Sequence, residues 1–258
     1  MKVMGTAVGV LAVAAAGGAV IANADDGARA AQANGGLAIS PVAIERVGAT
    51  PGAADTITVA NRSGDPLEIE VAARPWKQSS SGRVSPNRRS TLDEVAISED
   101  EFTLAPNTTR QVIVTLPSGG SLYGALEIVG LPDDADKRKG VVTGYRLLAP
   151  LRYHPAVPEY DLRAGSVKVV GHRKHRRLTL RVRNRGNTIA PVTGSIRLRG
   201  ALGTRSRSIK STKILPGETV RLTLMSARRV RAGRYKATVK LEQATERVRV
   251  TKKLRVRR

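Results

Sequence analysis

The sequence predicts an all-β protein: two Ig-like antiparallel β-sandwich domains in tandem after an N-terminal signal peptide. Three observations predict it. Apolar residues alternate with polar ones along short runs from residue 37 to the C-terminus, the period-two mark of strands with one buried face. Turn clusters such as "NRSGDP" divide these runs, and no stretch carries a sustained helical period bounded by caps. With 258 residues and 41% hydrophobic content, the chain has the length and the apolar residues for two cores. Aromatics make up only 3%, so those cores must rest on Val, Leu, Ile and Ala.

The N-terminus opens with Lys2 and an uncharged apolar run ending in Ala22-Asn23-Ala24, an A-x-A cleavage pattern ahead of Asp25. Residues 1–24 therefore read as a signal peptide. An uncleaved anchor is the alternative, since the run of about 20 residues is near the lower bound for a spanning helix. No second apolar stretch of that length follows, which implies an exported chain, secreted or associated with the cell envelope. The sequence contains no cysteine, which excludes disulfides, thiolate zinc sites, cysteine nucleophiles and lipidation at an N-terminal cysteine.

Residues 37–155 form the first predicted sandwich. Ile57–Val59, Leu67–Val71 and the set Val112, Val114, Leu116 alternate with polar neighbours, and "SLYGALEIVGLP" and "YRLLAPLRYHP" follow. About seven short strands in roughly 110 residues suit an Ig-like domain. Residues 156–164, with Pro155 and Pro158 around them, read as a linker. Residues 165–258 form the second sandwich, in which Leu178, Leu180, Val182, Val220, Leu222, Leu224, Val248 and Val250 alternate with Arg, Lys or Thr.

Charge divides the chain as sharply as pattern does. The net charge is +23, and 29 of the 44 Lys and Arg, but only 5 of the 21 Asp and Glu, lie in residues 159–258. On alternating strands those cations point to water and build positive faces. Arg177, Arg181, Arg183, Arg197, Arg199, Arg247 and Arg249 are the candidate polyanion-binding residues. The partner they imply is an anionic envelope polymer; the competing reading is that the charge reflects composition and keeps the domain soluble. Nucleic acid is disfavoured, because no aromatics are interleaved for base stacking and no helix is available to enter a groove.

Four segments in order make residues 37–155 resemble the periplasmic pilus chaperones, the PapD-like Ig-fold proteins: "LAISPVAIERV", "DTITVANRSGDPLEIEVAARPW", "VAISEDEFTLAPNTTRQVIV" and "SLYGALEIVGLP" with "YRLLAPLRYHP". The third contains a Phe-x-Leu-x-Pro phrase with Asn107 where the family has Gly. The second domain's "RLTLRVRNRGNTIAPVTGSIRLRG", "ILPGETVRLTL" and "AGRYKATVKLE" resemble Ig-like surface proteins of Gram-positive and actinobacterial envelopes linked to WxL wall proteins. The chaperone resemblance implies a second partner, another surface protein or pilus subunit, engaged by β-strand addition. The donated set would be Tyr145, Leu147, Ala149, Leu151 and Tyr153. The family's pair of basic residues that grips a subunit carboxylate aligns with Glu45 and Pro150, a departure from the pattern. Against donation stands the reading of Pro150 as a guard on an edge strand.

Enzymatic chemistry finds no foothold. The two histidines of "HRKH", His172 and His175, lie among arginines and lysines that oppose a divalent cation, and neither a G-x-S-x-G nor a phosphate-binding glycine loop is present. Asp133, Asp134 and Asp136 precede "KRKG" and read as a mixed-charge hairpin tip rather than a calcium site. Asn61 in "NRS" and Asn107 in "NTT" match the glycosylation pattern. No cofactor, metal or catalytic residue is expected.

Overall fold

The computed structural model describes residues 35–171, 175–201, 203–227 and 230–256. The signal-peptide reading of residues 1–24, and His172 of the "HRKH" stretch, lie outside the described residues.

The first sandwich comprises β1 (Leu37–Ser40), β2 (Ile44–Val47), β3 (Ala53–Asn61), β4 (Leu67–Gln78), β5 (Val84–Pro86), β6 (Ala96–Ile97), β7 (Glu101–Leu104), β8 (Thr109–Leu116), β9 (Leu122–Pro132) and β10 (Tyr145–His154). One sheet runs β1-β3-β8-β6; the other runs β2-β10-β9-β4-β5, with β7 also on β4. The alternation in the sequence is the burial pattern. Ile57 and Val59 on β3, Val112 and Val114 on β8, Leu67 and Ile69 on β4 and Leu126 and Ile128 on β9 all point inward at 2% exposure or less. The first strand changes sheets at Pro41. β1 pairs antiparallel with β3, whereas β2 pairs parallel with β10 in the opposite sheet.

The second sandwich comprises β11 (Leu162–Ala164), β12 (Lys168–Val170), β13 (Arg177–Asn184), β14 (Pro191–Gly200), β15 (Gly203–Lys213), β16 (Thr219–Ser226), β17 (Gly233–Gln243) and β18 (Glu246–Val256). Here β11 and β12 share one side of β13 with β16 on its other side, and the facing sheet runs β15-β14-β17-β18. Its core is separate from the first and is built from Leu178, Leu180, Val182, Ile196, Leu198, Val239 and their neighbours. The expected linker is shorter than 156–164. Leu162 is 3% exposed and pairs with Asn184, so β11 already belongs to the second core.

A buried asparagine closes the same corner in both sandwiches. Asn61, at the end of β3, donates from Nδ2 to the carbonyls of Asp65 (2.8 Å) and Leu104 (2.9 Å), and its Oδ1 accepts from Ser63 N and Oγ. Asn184, at the end of β13, donates to the carbonyls of Thr188 (2.7 Å) and Ile214 (2.8 Å) and accepts from Gly186 N. Each amide satisfies backbone groups that the turn would otherwise bury unpaired. Because Asn61 is 1% exposed with both amide hydrogens engaged, its glycosylation pattern is structural coincidence.

The two sandwiches are joined through defined contacts and belong to one compact unit spanning Asn34–Arg258. The buried Gln78 at the end of β4 donates to the carbonyl of Lys213 (2.9 Å) and accepts from the Leu215 N–H (3.0 Å). Beside it, the Arg221 N–H on β16 donates to the Ser80 carbonyl at 2.7 Å.

Candidate protein-binding edge and the basic faces

β10 has two halves with different neighbours. Its whole length from Tyr145 to Tyr153 pairs antiparallel with β9, and the ladder runs through Pro150 opposite Ala125. On its other side, β2 pairs with Leu151–His154 only. Along Tyr145–Pro150, therefore, no strand among the described residues is paired on that side, although β1 of the facing sheet passes close by. Pro150 stands where the covered half meets the open half. A proline there removes a donor just where the parallel ladder begins.

The inward face of β10 divides the expected donated set. Ala149, Leu151 and Tyr153 are fully buried in this sandwich's own core, which takes them out of any donated set while the sandwich is closed. Tyr145 and Leu147 remain partly exposed at its margin. The Tyr145 ring lies over Gly36, where a Cβ would fall inside it; only glycine lets the chain entering β1 pass so close. The outward face of the open half carries Arg146 and Leu148, the latter 38% exposed.

Beneath that outward face lies a charged nest absent from the sequence reading. Glu127 on β9, 4% exposed, sits opposite Leu148 and receives Arg88 (2.7 Å), Arg74 (3.3 Å) and Arg146 (3.4 Å). Three guanidiniums around one carboxylate keep it paired despite its burial. Arg146, beside the open edge, is thereby tied to a carboxylate of the neighbouring strand. Glu127 looks unremarkable in sequence, because its partners come from β4, from residue 88 and from β10.

At the closed end of β10, Glu45 on β2 faces Arg152 (3.2 Å) and His154 (2.9 Å). The hydrogen bond from His154, with Arg152 close by, holds the Glu45 carboxyl below the ordinary glutamate range. Thus the position where the resemblance would put a cation holds a carboxylate that occupies the nearby basic groups. Arg46, the next residue, forms a paired contact with Asp55 (2.7 and 2.8 Å), and Asp55 also accepts from the Tyr153 hydroxyl (3.1 Å). Burial and the Asp55 charge raise the Tyr153 phenol well above its usual value. Tyr123 stacks edge-on against His154 and donates at 3.4 Å to the Asn187 carbonyl of the second sandwich. Neither Arg46 nor Arg152 is a free cation.

The mixed-charge tip after β9 is likewise internally paired. Arg138 bridges Asp134 (2.6 Å) and Asp65 (3.0 Å), and its hydrogen bond to Asp65 holds that carboxyl below its ordinary range. Among the described residues no group of three or more His, Asp and Glu could hold a metal ion, and no helix is long and apolar enough to cross a membrane.

The seven arginines singled out for charge do not share one surface. Arg177, Arg181 and Arg183 lie on the exposed face of β13, Arg181 opposite Arg221. Arg197, Arg199, Arg247 and Arg249 lie on the exposed face of the other sheet, β14 and β18. Outer faces of the two sheets of a sandwich look in opposite directions. Sequence periodicity identified the outward side of each strand but not which sheet the strand joins.

No protein-family model matches the sequence, and no curated protein matches it. Solved structures do. A chain from the chaperone–tip adhesin complex of CFA/I fimbriae biogenesis superposes with a TM-score of 0.53 at 11% identity, covering 84% of this chain and 98% of its own. The class 5 fimbriae chaperone CfaA superposes with a TM-score of 0.52, also at 11% identity and the same coverage. The likeness extends across both sandwiches, so the all-β, two-domain Ig-type fold of these fimbrial chaperones is the fold of this chain.

Proposed function

We propose that this protein is an extracytoplasmic, non-enzymatic binding module that engages another surface protein by β-strand addition at the open edge of β10. One observation carries the reading: Tyr145–Pro150 is paired on one side only, while the remainder of β10 is covered by β2. A partner strand laid there gains main-chain hydrogen bonds, and its side chains cover Tyr145 and Leu147 inward and Leu148 outward. The long pairing with β9 makes the edge rigid, and Arg146 is pre-positioned by Glu127. The fold match supports this reading: one matched chain comes from a chaperone–tip adhesin complex and another is the fimbriae chaperone CfaA, and each match covers 84% of this chain. The chaperone role would be to shield an incomplete sheet of a surface or pilus subunit during assembly.

The test is capture from the protein's own envelope with the full chain tagged, washed through a salt series. A discrete protein retained at high salt by the parent chain, and lost from the Leu148→Asp variant, is the expected result. Main-chain pairing is little screened by salt. Retention unchanged in Leu148→Asp contradicts the reading.

A second reading, association with anionic envelope polymer through the basic sandwich, is favoured by the free cations on the β14–β17–β18 face and is compatible with the first.

A further inference from the structure

We propose that the outer face of the β15-β14-β17-β18 sheet is a binding surface for a linear phosphate-bearing polyanion, and that the opposite, β13 face is not. This narrows the polymer reading to one sheet and one ligand chemistry; it does not depend on strand addition at β10.

The face is built by register. Arg199 on β14 stands beside Lys236 on β17, which stands beside Lys253 on β18; two residues along, Arg197 stands beside Thr238; two further, Lys240 stands beside Arg249. Neighbouring strands are about 4.8 Å apart and successive outward residues about 7 Å apart, so the cations form rows with hydroxyls between them. Of these, Arg197, Arg199, Lys236, Lys240 and Arg249 line a shallow depression of about 390 Å³, with Ser195, Ser206 and Thr238 as further donors and no acidic residue. Among the described residues none of these five cations makes an ion pair; the nearest on the sheet joins Arg247 to Glu242 at 3.9 Å, beside the depression.

The β13 face is chemically different. There Arg183 donates to the Gly217 carbonyl (3.2 Å), while Arg163 beside it is paired with Asp161 (3.1 Å) and Arg185 also reaches Asp161 (3.7 Å). Its cations are partly engaged by the protein itself.

Phosphate suits the free face. Guanidinium groups grip its oxygens two at a time, ammonium groups add point charge, and Ser and Thr hydroxyls donate to the rest. A concave row suits a chain that lies along it. Among the described residues the face carries no exposed large apolar side chain: those that are exposed, Val42 to Val157, all precede the second sandwich. It presents no ring for base stacking either, since Tyr235 is turned inward at 8% exposure.

The experiment uses the full chain and end-labelled long-chain inorganic polyphosphate, read by fluorescence anisotropy across salt. Two triple variants remove equal charge: Arg197→Gln/Lys236→Gln/Arg249→Gln on the proposed face, and Arg177→Gln/Arg181→Gln/Arg183→Gln on the opposite one. The first should lose about tenfold or more in affinity at low salt, with a log–log salt slope shallower by about 2; the second should change affinity less than about threefold. Equal losses would overturn the proposal and leave only net charge. So would polygalacturonate binding as tightly as polyphosphate, or phosphatidylglycerol vesicles binding while polyphosphate does not. Thermal melting of each variant, and the single Lys236→Gln read at low salt, separate lost binding from lost folding.

Discussion

Asn61 and Asn184 hold their corners with fully engaged amides. Replacing Asn184 with Ala leaves two buried carbonyls and the Gly186 N–H unpaired; replacing Asn61 leaves the buried Leu104 carbonyl and the Ser63 N–H, because the Ser63 hydroxyl still reaches the Asp65 carbonyl at 2.9 Å. Asn61→Ala and Asn184→Ala should each destabilise by about 3 kcal/mol, read from urea denaturation midpoints. An effect below about 0.5 kcal/mol would show that water replaces the amide. The sequence displayed both residues inside turn clusters but did not reveal their structural role, because the carbonyls of Leu104 and Ile214 reach them from 43 and 30 residues away. Asn107, where the chaperone resemblance has Gly, adopts a φ of 59°, a left-handed conformation that Asn tolerates better than most residues and that the pattern alone did not predict. Glu45 gives a pH signature. Its folded pKa is depressed by His154 and Arg152, so its stabilisation is present above the ordinary carboxylate range and is lost as pH falls through the depressed folded value. Melting temperature should drop between about pH 5 and about pH 3 more steeply in the parent than in Glu45→Gln. Parallel curves would remove Glu45 from the acid response.

At the scale of the element, β10 shows what periodicity reveals and what it hides. The alternation of Tyr145, Leu147, Ala149, Leu151 and Tyr153 identified one apolar face, and the structure points that face inward. The pattern does not say which strand lies alongside. β2 arrives from over a hundred residues earlier in the chain and covers only the second half. Pro150 signalled an edge, and the structure gives an edge on one side and for half the strand. The charged nest was similarly hidden, because Glu127 draws its arginines from three separate stretches. Glu127→Gln should cost about 2 kcal/mol, less than for a fully buried pair because Arg88 and Arg146 keep roughly half their exposure. Chemical denaturation measures it; an unchanged midpoint would mean that the nest is energetically neutral.

Across the whole molecule, composition divided the chain correctly by charge, while strand pairing decided how that charge is displayed. Twenty-nine basic residues in the last hundred predict a positive domain. They do not predict one face with free cations and another whose cations are partly held by Asp161 and a backbone carbonyl. The joint between the sandwiches was also invisible in sequence, where Gln78 is a polar residue at the end of an apolar strand. In the structure it bonds both the Lys213 carbonyl and the Leu215 N–H. Gln78→Ala should uncouple the sandwiches: calorimetry should show one transition for the parent and two for the variant, the junction having lost about 1–2 kcal/mol. A single unshifted transition would mean that other contacts carry the joint.

Whether a partner strand binds along Tyr145–Pro150 can be read by site-specific crosslinking, for which the absence of native cysteine is an advantage. Leu148→Cys, carrying a short photo-crosslinker, is compared with Ile113→Cys on the opposite sheet after incubation in the native envelope and washing at high salt. A single protein joined at residue 148, with added protection from hydrogen exchange confined to the amides of 145–149 in the captured complex, is the expected result. Equal crosslinking at both positions, or capture that leaves those amides exchanging freely, would contradict the account.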